Sequence, residues 1–383
     1  MKIAVAQPVK YSGTIIQAFL IFILLFSLIL NAGACCLPGS PGKTVKIGLL
    51  IPDNESVAAK HGAELAVREA NEKGGFQGAP FELVVRSMEG PWGTGSKQAI
   101  DLIFNEKVWA LLGSHDGRNA HLVEQAATKA IVPFVSAWAG DPTLARAFVP
   151  WFFNCVPDDF QMAEALVEEI YAKRKINRVI TISDKDYDSD MALNNFLKKT
   201  SLRQKADPVQ YRYENYSGKI DEMIDQIERS DAECIVLLCK PSISVKIFGQ
   251  IRQRKMSMAV FSSHYLLNEN ELSDPESKSY DNDILIAASK WSGPKYKDFM
   301  NEYSELYGNS PGMVAAYAYD GMNLLIEAIR NAGTSERELI QKSLENISYE
   351  GVTGPVSFDT MGNRKGSYFI TTVRNGIPVI SDK

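Results

Sequence analysis

The sequence predicts an α/β protein made of two similar units, each a parallel sheet covered by helices. Length is the first reason: 383 residues exceed what one hydrophobic core usually holds. The second is alternation, because short apolar runs of strand type take turns with stretches whose apolar residues return at helical spacing. The third is repetition: the alternation pauses at 151–157 and then begins again over a similar length. The clearest single unit is 109–141. An apolar run at 108–112 leads into a polar turn at 113–119. Leu122, Val123, Ala126, Ala127 and Ala130 then recur at helical spacing, and a second apolar run at 132–135 ends in a second turn at 136–142. A βαβ unit of this kind sets both post-strand loops at one sheet edge, where open α/β sheets bind ligands. These two loops are therefore expected to form half of a binding cleft.

Taken in order, 37–42 is a linker by composition, and 45–51 is a buried strand of parallel type. Ala59, Ala63, Ala66, Val67 and Ala70 form the inner face of a helix that Gly74 and Gly75 stop. A strand at 81–85 follows, then a loop at 87–95, then a helix to Glu106 with Ser96 as the expected N-cap. After the segment 151–157, read as a crossing, comes a helix carrying Met162, Ala165, Leu166 and Ile170. Strands are expected at 178–182, 208–213, 234–238, 259–261 and 283–288, with helices between the first four. The tail reads as helices at 295–307, 314–332 and 335–344, the last with a Ser335–Glu338 capping box. It ends in strands at 355–359 and 367–373 around a turn at 361–366.

Composition excludes some functions. The net charge of −5 offers no basic field to nucleic acid, so no nucleic-acid partner is expected. Lys2 and Lys10, an apolar run at 15–30 and an Ala32–Ala34 ending match an export signal over 1–34. The run is shorter than the ~20 residues of a spanning helix. The sequence around Cys35 is a degenerate lipobox lacking the usual Leu, which leaves lipid anchoring and plain secretion both open. Cys155, Cys234 and Cys239 remain for the folded body, and no structural disulfide is expected. Cys234 and Cys239 lie on one strand-like run, five residues apart and facing opposite sides.

The stretches at 70–75 (ANEKGG), 315–321 (AAYAYDG) and 351–359 (GVTGPVSFD), in this order and spacing, resemble the type I periplasmic-binding-protein family, in its branched-chain amino-acid receptor branch. The resemblance runs from Val45 to the end. It implies an α/β fold of two Rossmann-like lobes with parallel sheets, joined by a three-crossing hinge, closing around one ligand. The crossings are expected near 154–157, 289–294 and 351–355. The corresponding division is export signal 1–34, linker 35–43, lobe 1 at 44–155 and 292–350, and lobe 2 at 156–291 and 351–383. Such a receptor is expected as a monomer that serves the membrane permease and ATPase subunits of an ABC importer. A ligand-sensing subunit of a regulatory or chemosensory system is the alternative.

In amino-acid-binding relatives, the loop after the third strand offers paired serines to the ligand carboxylate. Asp116 and Gly117 stand there in this chain. In the loop after the fourth strand, Ser136, Ala137, Trp138 and Gly140 are the candidates, and Gly140 replaces the usual Thr. Both departures weaken carboxylate recognition. Asp116 favours an amine or hydroxyl donor, or else caps the following helix. Tyr187 matches a lid Tyr of the relatives. Trp92, Trp138, Tyr265 and Trp291 fall in loops, and beside Asp116 and Asp188 such rings suit a cationic ligand. Each could instead pack a lobe core, the reading favoured for Trp151 and Trp291. His115, His121 and His264 are candidates for cleft hydrogen bonds or for solvated and capping roles. His115 and His121, six apart with no Cys near, are poorly spaced for zinc, so neither metal nor cofactor is expected. An exported α/β hydrolase is the rival class. No Gly-x-Ser-x-Gly elbow, P-loop or dinucleotide fingerprint follows a strand, and Ser114, His115 and Asp116 side by side do not make a converging triad.

Overall fold

Val45–Ile51 (β1) has Val45, Ile47, Leu49 and Leu50 fully buried, so it can only be an interior strand. It pairs in parallel with Phe81–Ser87 (β2) on one side and Ala110–Gly113 (β3) on the other. Phe134–Ser136 (β4) and Phe152–Asn154 (β5) complete a parallel sheet of order β2-β1-β3-β4-β5. Its helices are Ala58–Glu72 (α1), Thr94–Ile100 (α2, widening into a π-helical turn at Asp101–Asn105), Gly117–Lys129 (α3) and the short Thr143–Arg146 (α4). The computed structural model describes residues 44–146, 150–272, 280, 283–289, 291, 295–366 and 368–380. The expected export signal, the Cys35 anchor and the linker 35–43 lie outside the described residues, as does part of the expected crossing at 289–294. Among the described residues no helix is long and apolar enough to cross a membrane.

The second sheet is built from Val179–Ser183 (β6), Val209–Arg212 (β7), Cys234–Leu238 (β8), Ala259–Ser263 (β9) and Leu285–Ala288 (β10), all parallel. Asp159–Val167 (α5), Tyr187–Leu202 (α6), Ile220–Glu228 (α7) and Pro241–Gln253 (α8) connect and cover it. The chain then returns to the first sheet as Tyr296–Tyr307 (α9), Met313–Ala332 (α10) and Arg337–Glu345 (α11). α10 is buried along most of its length against α1. Their backbones meet at Gly62, where a Cβ would stand 2.2 Å from Ala315 O, so only glycine fits. A two-stranded ribbon, Tyr349–Gly351 (β11) with Gly354–Val356 (β12), leads back to the second sheet. There Phe369–Arg374 (β13) and Ile377–Ile380 (β14) add antiparallel edge strands, giving β14-β13-β10-β9-β8-β6-β7.

Where the chain passes between the sheets it is tied together by buried polar groups. Arg364, 3% exposed, donates to Cys155 O (2.8 Å), Thr353 O (2.7 Å) and Pro355 O (3.1 Å). Asp320 on α10 accepts from Val352 N, Thr353 N and Thr353 Oγ1. Tyr317, a turn earlier, shares a 2.6 Å bond with Ser289 Oγ. The three segments that link the sheets thus meet on one helix face and one guanidinium.

Three local expectations are corrected. Ser96 is not an N-cap. Gly93, at φ 92°, turns the chain so that the helix begins at Thr94, and Ser96 sits inside its first turn. Ser335 does not cap α11, which starts after Glu336 without a side-chain cap, while Thr334 Oγ1 accepts from Glu336 N instead. Around the expected turn the chain pairs only briefly, through an antiparallel bridge of Phe358 with Arg364, and not as full strands. β12 pairs with β11, and β13 pairs with β14 across Asn375 and Gly376, both at positive φ as a tight two-residue hairpin requires. Cys155, Cys234 and Cys239 are buried and unbridged.

Candidate functional site

The carboxyl ends of the strands of the two sheets face each other across a cavity of about 350 Å³. The first sheet contributes Ser114, His115 and Asp116 after β3 and Trp138 after β4. The second contributes Asp186, Asp188, Lys240 and Tyr265. Asn268, Asn270 and Glu271 close it from the segment after β9, toward Val314 at the start of α10.

Asp116 is the N-cap of α3: its carboxylate accepts from Asn119 N (3.0 Å) and Asn119 Nδ2 (2.6 Å). Capping therefore absorbs both its oxygens, although the residue still lines the cavity. The next N–H of the helix, Gly117 N, points across the cleft and donates to Asp188 Oδ1 at 2.9 Å. A Cβ on Gly117 would stand 3.0 Å from Asp188 Oδ1, Asp141 Cβ and Tyr187 Cε1, so glycine at 117 is what lets the second sheet's loop approach. Asp188 is buried, and that burial, with Asp116, Asp186 and Asp141 nearby, pushes its carboxyl up to about 8 despite the Gly117 bond.

Further bonds cross the same gap. Tyr187 donates to Asp141 Oδ2 at 2.7 Å, Gly140 N donates to the Tyr265 hydroxyl at 2.8 Å, and Ala58 N donates to Asn270 Oδ1 at 3.2 Å. Glu269 accepts from Val314 N and Ala315 N, both at 2.8 Å, and so caps α10 from the opposite sheet. Burial raises its carboxyl to about 7, against the pull of those N–H groups. Asp141 is held at about 2: burial opposes ionisation, but His121, Tyr187 and Thr143 all bond to it. His121 rises to about 9 through its bonds to Asp141 and Glu124.

Of the sequence candidates, His115, Asp116, Trp138, Asp188 and Tyr265 line the cavity. Trp138 and Tyr265 meet edge to face at 5.8 Å. Gly117 and Gly140 are backbone donors to the other sheet's side chains, and Tyr187 is the strap over Asp141. Ser136 and Ala137 are buried in the turn behind Trp138, where Ser136 Oγ reaches Ala139 O. His264 is fully buried beneath Trp138, its Nδ1 2.8 Å from Met162 Sδ, and burial drives its pKa down to about 3. Trp92 is not brought to the cleft: it is 73% exposed at the loop before α2. Asp141, Lys240, Glu269 and Glu271 carry no signal in the sequence that marks them for the cleft, and Ser114 enters there only in the rejected triad, although Ser114 and Lys240 follow strands β3 and β8 closely, where α/β sheets place ligand contacts.

Two lobes with facing strand ends, three connecting segments and a cavity between them lined by polar and aromatic side chains define a two-lobed α/β binding protein. The model of the family described as "Periplasmic binding protein" matches residues 44–376, and the chain belongs to that family. Among curated relatives, the Leu/Ile/Val-binding protein homolog 7 of Brucella abortus (strain 2308) is 22% identical over 349 residues, covering 84% of each chain. Glutamate receptor 3.1 of Oryza sativa subsp. japonica is 22% identical over 324 residues, and the chain spans only 33% of that receptor's length. The branched-chain amino acid transporter substrate binding protein of Streptococcus pneumoniae, solved with isoleucine, superposes at TM-score 0.73 with 22% identity, over 87% of this chain and 97% of that one. A solute binding protein of an ABC transporter from R. palustris, solved with benzoate, superposes at TM-score 0.74 with 17% identity, over 88% and 95%. These structures share the fold.

Proposed function

We propose that this protein is the extracytoplasmic solute-binding subunit of an ABC importer. It holds one small solute in the interlobe cleft and hands it to membrane permease subunits with their ATPase. The carrying observation is the cavity of about 350 Å³ whose walls come from loops of both sheets at once, a size suited to a small organic solute. Every interlobe bond described above is made only when the lobes are together, so a ligand touching both walls favours closure by its differential affinity for that state. The relatives solved with isoleucine and with benzoate support a small organic solute. Asp116, Trp138, Tyr187, Asp188 and Tyr265 are the residues on which binding is expected to depend. No bond-making step is needed: the cavity is a holding site.

A thermal-shift screen of amines, amides, amino acids and aromatic acids tests this reading. A true ligand at about 100 times its Kd adds roughly 2.7 kcal/mol of stability. Trp138→Ala should abolish the shift. A library that produces no Trp138-dependent stabilisation contradicts the proposal. Co-purification of permease and ATPase subunits with the ligand-loaded protein separates import from sensing.

A further inference from the structure

We propose that the cleft selects a cationic amine without a carboxylate group, held between the Asp188 carboxylate and the rings of Trp138 and Tyr265. The inference rests on the reading of the cleft as a solute site and names the class of solute.

The walls carry five carboxylates, Asp53, Asp116, Asp186, Asp188 and Glu271, against Lys240. Lys240 does not offset them all, since its Nζ is engaged 3.0 Å from Asp186. His115, the other basic type in the wall, is pushed toward its neutral form by burial. The N-terminus of α3 would ordinarily attract an anion. In this chain Gly117 N is already bonded to Asp188, and Asn119 N to Asp116. An incoming carboxylate would find the helix end filled by the protein's own carboxylates and would meet like charge beside it.

Two features are unfilled. Asp188 accepts with one oxygen only, and its second oxygen has no hydrogen-bond partner among the described residues. Independently, Ser114 lines the cavity at 2% exposure, and its Oγ is buried without a partner. A buried hydroxyl left unpaired costs free energy unless a ligand meets it. An ammonium group supplies donors for both, and its positive charge favours the ionised form of Asp188 that burial and the neighbouring carboxylates disfavour in the empty cleft. The edge-to-face pair of Trp138 and Tyr265 offers aromatic surface for the rest of the molecule and for cation–π attraction.

Calorimetric titration of the full chain with two matched sets tests the inference. One set is 3-methylbutylamine, leucine and 4-methylpentanoate; the other is benzylamine and benzoate. Within each set the amine should bind at least tenfold tighter than the acid, with leucine between. Asp188→Asn, which keeps an acceptor for Gly117 N but removes the charge, should weaken the amines at least tenfold and leave the acids no worse. Glu271→Gln should weaken the amines in the same direction and serves if the first variant does not fold. Acids or leucine binding as tightly as the amines would overturn this inference while leaving the solute-receptor reading intact. Failure of every probe to bind would overturn it together with that reading for solutes of this size.

Discussion

The hinge and the cleft use buried polar groups in opposite ways. At the hinge, Asp320 receives three hydrogen bonds and Arg364 gives four, so that charge buried between the lobes is met by the backbone of the linking segments. In the cleft, Ser114 Oγ has no partner, Asp188 has one, and burial lifts the Asp188 carboxyl to about 8. Asp159, buried beside Tyr265, is likewise pushed well above the usual carboxylate range by burial and by Asp188, Asp158 and Asp141. A satisfied network fixes geometry, whereas an unsatisfied one raises the energy of the empty site. The difference separates what holds this protein together from what it is built to meet.

The comparison is broken most severely at the hinge. Asp320→Ala leaves Val352 N and Thr353 N buried without an acceptor, at ~1–3 kcal/mol each, for a loss of about 2–6 kcal/mol in urea unfolding. Glu269→Ala removes the cap that the second lobe places on α10 and should cost about 1–2 kcal/mol by the same measurement. It should also loosen closure, seen as a larger radius in small-angle scattering. Ser114→Ala sharpens the contrast from the other side. Its hydroxyl bonds to nothing, so stability should change by no more than ~0.5 kcal/mol or rise slightly, while amine affinity falls.

Solution pH probes the same contrast. Asp188 at about 8 and Glu269 at about 7 hold protons in the folded state that the unfolded chain releases near pH 4, so each costs stability progressively from about pH 4 upward, the loss being complete once pH has passed 7 for Glu269 and 8 for Asp188. His121, raised to about 9, contributes stability that is complete below ~6.5 and lost as pH passes 9. In the other direction, His264 at about 3 is buried neutral, so stability falls as pH drops below ~6.5. The ligand-free protein should therefore melt lower at pH 9 than at pH 6, as read by differential scanning calorimetry. Asp188→Asn should flatten the alkaline side of that profile. An unchanged slope would remove Asp188 as a buried, charge-starved group.

Much of the fold was legible because burial writes itself as periodicity. β1, β3 and β8 are continuous apolar runs, and α3 repeats its small residues at helical spacing between two turns. Asp116 was legible as a cap because capping is local. The interlobe bonds were not, since Glu269 meets Val314 N 45 residues away and Asp188 meets Gly117 N 71 residues away, with no local pattern to announce either. Trp92 shows the converse failure: a loop aromatic suggests a cleft, but only the folded chain shows this one turned outward. β14 escaped notice because a short edge strand carries too few residues for alternation to stand out.

Hydrogen–deuterium exchange with and without a proven ligand tests the interlobe cleft most directly. Slowed exchange should appear together in the loops 114–117, 138–141, 186–189 and 263–271, which come from both sheets. Protection confined to one lobe, or lying away from these loops, would contradict a solute held between the two.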